Sequence, residues 1–277
     1  MVESLDHQLL CVDVDGTLAR SDKSVSTTNK EALKKVSDLG MIVAIASGRS
    51  IVSVQSLLDE MNLDYYAVCL NGALVIAKDK VVSVSSFTKT QVDIACEIIE
   101  KHQTSATFNT PYRSIRNYDI PPLWKAQIEN GSLKADYIVA SNRKEYFELI
   151  QQHSSEIVKI SILEKDHERF EKIKDDFNQT DLFHVVKSDI DYIDVMIKGC
   201  TKGKGVIALA DYLNIPLSQV ICIGDNENDI EMMACAGKSI AMENAIDEVK
   251  VLADHITGHH NQDGVALAIE QFIITKE

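Results

Sequence analysis

Asp13 and Asp15 stand one residue apart where an apolar run ends in Asp13-Val14-Asp15-Gly16-Thr17. Leu9, Leu10, Cys11 and Val12 read as a short strand buried within a parallel sheet. Side chains two apart on a strand project to one side, so both carboxylates are expected together at the strand's carboxyl end. Open α/β sheets place their ligands there. Gly16 permits the sharp turn that follows. Carboxylates this close repel unless one is protonated or a cation lies between them. The pattern suits a hard divalent ion, with one carboxylate left to act as a nucleophile. Taken alone, the fragment also fits a plain Asp/Gly-rich turn.

Three further groups sit at expected strand ends or helix starts. Ser47-Gly48 follows the apolar run Met41–Ala46 and offers a hydroxyl and backbone N–H groups to an anion; a simple helix N-cap is the competing reading. Asp225, Asn226, Glu227, Asn228 and Asp229 follow the buried run Gln219–Gly224. Acids favour a helix N-terminus for its dipole, which accounts for Glu227. Asp225, directly after Gly224, reads as a metal ligand, and Asp229 should share its face once the helix starts. Lys202 opens a helix within TKGKG, with Lys204 as its rival. No GxxxxGK[ST] or GxGxxG phosphate loop occurs.

The elements that must hold these groups alternate at the two ends of the chain. A strand over Leu9–Val12, a helix over Ser26–Leu39, a strand over Met41–Ala46, a helix near Ser50–Met61 and a strand over Tyr66–Leu70 argue for a parallel sheet covered by helices. Ala73–Ala77 and Val81–Ser85 read as a hairpin. From Phe87 to Asp191 helices and strands mix less regularly, and Tyr112–Leu123 reads as a loop. Alternation returns with a strand at Tyr192–Ile197, a helix at Lys202–Leu213 and a strand at Gln219–Gly224. The expected fold is α/β: a doubly wound, Rossmann-like core from residues 1–85 and 192–277, with an α+β cap domain inserted at 86–191.

Composition limits the function. The 277 residues are ample for two domains, and 45% apolar with 25% charged residues is ordinary for a globular protein. A formal net charge of −14 argues against a nucleic-acid surface. An anionic substrate must then be drawn in by a local positive site. The six cysteines are scattered without a CxxC pair, which suits reduced core thiols in the cytoplasm. MVESLDHQ lacks the pattern of a signal peptide, and no apolar run reaches a membrane span, so no membrane partner is expected.

The ordered set DVDGT, SGR, a Lys-Gly pair and GDNENDIEMM resembles the haloacid dehalogenase superfamily of phosphotransferases, and within it the Cof-type phosphatases, whose large cap follows the third strand. The resemblance covers essentially the whole chain, and Asn71-Gly72 also fits that subgroup. It implies that Asp13 attacks phosphorus, that Asp15 serves as acid and then base, and that Mg²⁺ is held by Asp13, the Asp15 backbone carbonyl and Asp225. Ser47, Gly48 and Lys202 would hold the phosphoryl oxygens, Asn228 would orient them, and Asp229 would position Lys202 or a metal-bound water. Arg49 and Asn71 are candidate substrate contacts, and Tyr112, Arg113, Arg116 and Trp124 are cap residues of interest. The implied partner is a small phosphate ester, a sugar phosphate or pyridoxal phosphate, acted on by a monomer or weak homodimer. A sugar phosphomutase and a non-catalytic binding protein of the same fold are the alternatives. His259-His260 reads as a solvated loop.

Overall fold

A computed structural model describes residues 3–129 and 136–276. Short β1 (Glu3–Leu5) precedes β2 (Leu9–Val12), whose four residues are all buried, as a strand covered on both faces must be. Helix α1 (Thr27–Asp38) starts where the Ser26 hydroxyl accepts the Asn29 N–H, and it buries Leu33 and Val36. Then come β3 (Ile42–Ala46), α2 (Ile51–Met61), β4 (Tyr66–Cys69) and the hairpin β5 (Leu74–Ala77) and β6 (Lys80–Val84).

The middle of the chain supplies α3 (Lys89–His102), β7 (Ser105–Asn109), β8 (Ser114–Arg116), α4 (Pro122–Glu129), β9 (Tyr137–Val139), α5 (Arg143–Gln152), β10 (Lys159–Leu163), α6 (His167–Gln179), β11 (Phe183–Asp189) and β12 (Tyr192–Ile197). The remainder supplies α7 (Lys202–Leu213), β13 (Val220–Gly224), α8 (Ile230–Cys235), β14 (Lys238–Ala241), α9 (Asp247–Leu252), β15 (His255–Ile256), α10 (Gly264–Ala268) and β16 (Ile274–Lys276), which pairs with β1.

The chain forms two compact units. One comprises Met1–Gly48, Leu57–Ser83 and Thr201–Glu277, and the other Arg49–Ser56 and Val84–Cys200. The first is built on an eight-stranded sheet of order β15-β14-β13-β2-β3-β4-β5-β6. From β15 to β4 every pair is parallel, and β5 turns back antiparallel to β4. Chain order reverses between β2 and β13. This is the doubly wound arrangement, and a crevice opens at such a switch point. The second unit is a six-stranded sheet, β11-β12-β10-β7-β8-β9, antiparallel except between β8 and β9. Its core contains Phe108, Ile115, Ile160, Ile162, Ile193 and Val195 from the strands and Val92, Ile99, Tyr146, Phe170 and Phe177 from the helices.

Three expectations need correction. Tyr192–Ile197 is not a strand of the first unit: it pairs with β10 and β11 on either side, and the change of unit comes at Cys200 and Thr201. Arg49–Ser56, including the start of α2, packs with the second unit. The 112–123 loop contains β8, whose Ile115 is fully buried. The Trp124 side chain lies outside the described residues. All six cysteines are free, and five of them are buried. Among the described residues no helix is long and apolar enough to cross a membrane.

Candidate active site

Asp13 follows the last residue of β2, and Asp225 follows the last residue of β13. They are therefore at adjacent strand ends of the switch point. The Asp13 N–H donates to the Ile223 carbonyl at 3.0 Å, which ties the two ends together. The Gly16 turn closes against Asp225. Gly16 has φ +85°, and a Cβ there would lie 2.3 Å from Asp225 Oδ2. The Thr17 hydroxyl donates to Asp225 Oδ1 at 2.7 Å.

Lys202 is the first residue of α7, behind its N-cap Thr201. The ammonium donates to Asp13 Oδ1 and to Asp229 Oδ1, both at 2.6 Å, and all three residues are buried. Lys204 is exposed, so the rivalry between the two lysines resolves to Lys202. Asp229 lies in a 3₁₀ turn ahead of α8 and not on the helix proper. Its Oδ2 accepts the N–H groups of Asp225 and Asn226 at 2.9 and 3.0 Å. Asp229 thus fixes both Lys202 and the loop that carries Asp225.

The pair Asp13 and Asp15 does not project together from a strand as expected. The strand ends at Val12; Asp13 is buried, whereas Asp15 is exposed and takes Lys23 at 2.9 Å. Ser47 is buried at the end of β3. Its N–H donates to the Val68 carbonyl and its own carbonyl accepts the Asn71 N–H. Asn71 adopts a left-handed conformation (φ 55°) and accepts the Asn228 side-chain amide at 3.1 Å. Gly48 is the neighbour this needs, since a Cβ there would lie 3.1 Å from Asn71 Oδ1. Gly72 (φ +95°) lets this turn press on the start of α7, where a Cβ would meet the Thr201 carbonyl at 2.0 Å. Arg49 falls in the second unit.

Charge is out of balance here. Asp13, Asp225 and Asp229 each offer an oxygen within 4.8 Å of the others. Among the described residues, one ammonium, that of Lys202, is paired with them. Burial, then the charge of Asp229, pushes Asp13 up to about 7 against the pull of Lys202. Burial, then Asp13 and Asp229, pushes Asp225 up to about 8. Burial opposes the Lys202 charge, but the two aspartates win and hold its pKa above the ordinary value. With Asp229 committed to Lys202, the Asp13 and Asp225 carboxylates remain. Hard oxygen donors with an uncompensated negative charge fit Mg²⁺.

Supports that the sequence reading missed surround the turn. Asn244 donates to the Gly16 carbonyl at 2.8 Å and accepts the His260 N–H. The His260 ring meets the Ala19 carbonyl at 2.9 Å, so this histidine braces the Asp13–Ala19 loop. The buried Asn29 donates to the Leu18 carbonyl. Thr17 is inside the DVDGT run, which is a usable signal; nothing in the sequence singles out Asn244 or Asn29.

Residues 10–269 match the family described as haloacid dehalogenase-like hydrolase. The chain belongs to this family. The Bacillus subtilis protein YxeH is 28% identical over 281 residues, covering 98% of this chain and 100% of that one. The 5-amino-6-(5-phospho-D-ribitylamino)uracil phosphatase YcsE of Bacillus subtilis is 24% identical, covering 98% of each chain. A haloacid dehalogenase-like hydrolase structure from the same species aligns with TM-score 0.85 at 22% identity, over 96% of this chain and 99% of that one. Family membership makes this chain a hydrolase, and the relatives it matches include phosphatases.

Proposed function

We propose that this hydrolase is a Mg²⁺-dependent phosphatase of small phosphorylated metabolites, working through an aspartyl-phosphate on Asp13. The observation that carries the reading is the buried Asp13–Lys202–Asp229 chain, with Asp225 at the adjacent strand end. Lys202 holds Asp13 Oδ1, leaving Oδ2 to bond to phosphorus as the ester P–O bond breaks. Asp15 gives its proton to the leaving alkoxide. The resulting carboxylate then takes a proton from water as that water attacks phosphorus, and the Asp13 O–P bond breaks to release phosphate. Before acting, Asp15 must leave Lys23, and its exposure allows that motion. Ser47, Gly48, Lys202 and Asn228 hold the phosphoryl oxygens, and Asn71 acts through Asn228. Mg²⁺ between Asp13, Asp225 and the Asp15 carbonyl would neutralise charge on the phosphoryl group.

The second unit is read as a cap that supplies substrate specificity. Sugar phosphates, pyridoxal phosphate and 5-amino-6-(5-phospho-D-ribitylamino)uracil, the substrate in the name of YcsE, form the screen. The test is hydrolysis of an aryl phosphate with Mg²⁺ or with chelator. Turnover should need Mg²⁺ and fall by about 10⁴-fold or more in Asp13→Asn, as for loss of a nucleophile. Turnover that survives this substitution overturns the mechanism.

A further inference from the structure

On the second unit's sheet, Arg116 pairs with Thr107, Thr107 with Ser161, and Ser161 with Asp194. Directly paired residues share a face, so these four form one polar row across β8, β7, β10 and β12. The neighbouring row, Ile115, Phe108, Ile160 and Val195, faces the apolar core. The polar row is nonetheless mostly shielded from water: Thr107, Asp194 and Arg116 are 6%, 3% and 1% exposed.

Charges on this row are treated unequally. Asp194 is satisfied by Lys159 Nζ at 3.0 Å and the Ser161 hydroxyl at 2.8 Å. Arg116 is not satisfied. Its Nε, Nη1 and Nη2 are buried and have no hydrogen-bond acceptor among the described residues. The guanidinium carbon lies 3.8 Å from the centre of the Tyr118 ring and 5.3 Å from that of Tyr137. The Thr107 hydroxyl fixes Tyr118 by donating to its phenol oxygen at 3.2 Å. Stacking on Tyr118 occupies the face of the guanidinium and leaves its N–H edge without an acceptor among the described residues. That edge is the part that grips a planar or tetrahedral oxyanion with two parallel bonds. A ring face offsets only part of the cost of burying a cation, so the unpaired edge calls for an anion.

We propose that the second unit holds an oxyanion site in which Arg116, clamped face-on by Tyr118, binds a phosphate or carboxylate through its N–H edge. The site stands on this unit alone and does not require the phosphatase reading. The anion is either a remote acidic group of the substrate or a free effector, and both present the same chemistry.

The test follows the Arg116 Nε–H signal by NMR in the full-length protein, assigned by its loss in Arg116→Met and, should that variant not fold, in Arg116→Lys. Titration with inorganic phosphate, malonate or a carboxylated phosphate monoester should move the signal saturably, with half-saturation at about 10 mM or below. No response to any of the three overturns the proposal, whether or not the protein hydrolyses phosphate esters. Ligand-free Arg116→Met should melt at or above the native protein, since it removes an unpaired buried cation. A lower melting temperature, with no Nε–H response in the native protein, would assign Arg116 to packing alone. The source is read from a carboxylated monoester against its methyl ester. A kcat/KM preference for the acid of at least about 10-fold, erased in Arg116→Met, marks a substrate group; an unchanged ratio with a responding signal marks a free effector.

Discussion

Asp13 and Asp225 hold protons far above the ordinary carboxylate range, to about 7 and about 8, because burial and neighbouring acids penalise their charge. Their folded values lie above the unfolded value of 3.8, so the folded state binds more protons between these limits. Their contribution to stability is full below the unfolded pKa and is lost as pH rises through 7 and 8. In chelator, the melting temperature should fall between about pH 5.5 and 8.5, and fall less in Asp225→Asn; His7, lowered by burial, works weakly the other way. Added Mg²⁺ must displace those protons, so its stabilisation should grow over the same interval. Removing the ammonium leaves buried acids without a counter-charge. Lys202→Met should cost about 3–5 kcal/mol in urea unfolding at pH 8, as for a broken buried ion pair. Thr17→Val removes the bond that orients Asp225, and it should weaken Mg²⁺ binding by about 10–100-fold in calorimetry. The four charged groups that meet, Asp13, Lys202, Asp225 and Asp229, were all legible in the sequence because each directly follows or opens a recognisable element. The bracing by Asn244 and His260 was not, since a side chain that bonds a carbonyl more than 200 residues away leaves no local pattern.

At the scale of elements, the parallel strands announce themselves as unbroken apolar runs, LLCV, IVAIA and VICIG, because helices cover both faces. Strand β12 carries the other signature. Ile193, Asp194 and Val195 alternate, with the apolar pair inward and the acid on the polar face, as expected of an antiparallel sheet with one apolar and one polar face. That alternation was the signal that should have placed YIDVMI with the second unit. Strand β8 was hidden for a different reason: three residues between turn-forming neighbours carry too short a period to recognise. The start of α7 depends on a backbone fit that composition does not reveal. Gly72 approaches Thr201 so closely that Gly72→Ala must push the helix start, and Lys202 with it, away from Asp13. This variant should lose at least about 1–2 kcal/mol from its left-handed φ alone, and kcat should fall more than stability accounts for. Aryl-phosphate kinetics at a temperature where the variant is fully folded would check this.

For the whole molecule, a net charge of −14 repels the anionic substrates proposed for it. At low ionic strength this repulsion reaches far, about 30 Å at 0.01 M salt against about 8 Å at 0.15 M. Raising NaCl across that range should increase kcat/KM for a charged phosphate ester, and a fall would mean that local positive groups dominate the approach. The position of β2 has a consequence for how the protein is made. It lies between β3, which leaves the ribosome soon after it, and β13, which follows about 200 residues later, roughly 10–40 s at typical elongation rates of about 5–20 residues per second. For that interval one edge of the strand that ends at Asp13 has no neighbour. The nascent chain therefore exposes an apolar edge while the second unit is being synthesised, and it is then that this protein is most vulnerable to aggregation and most dependent on chaperones.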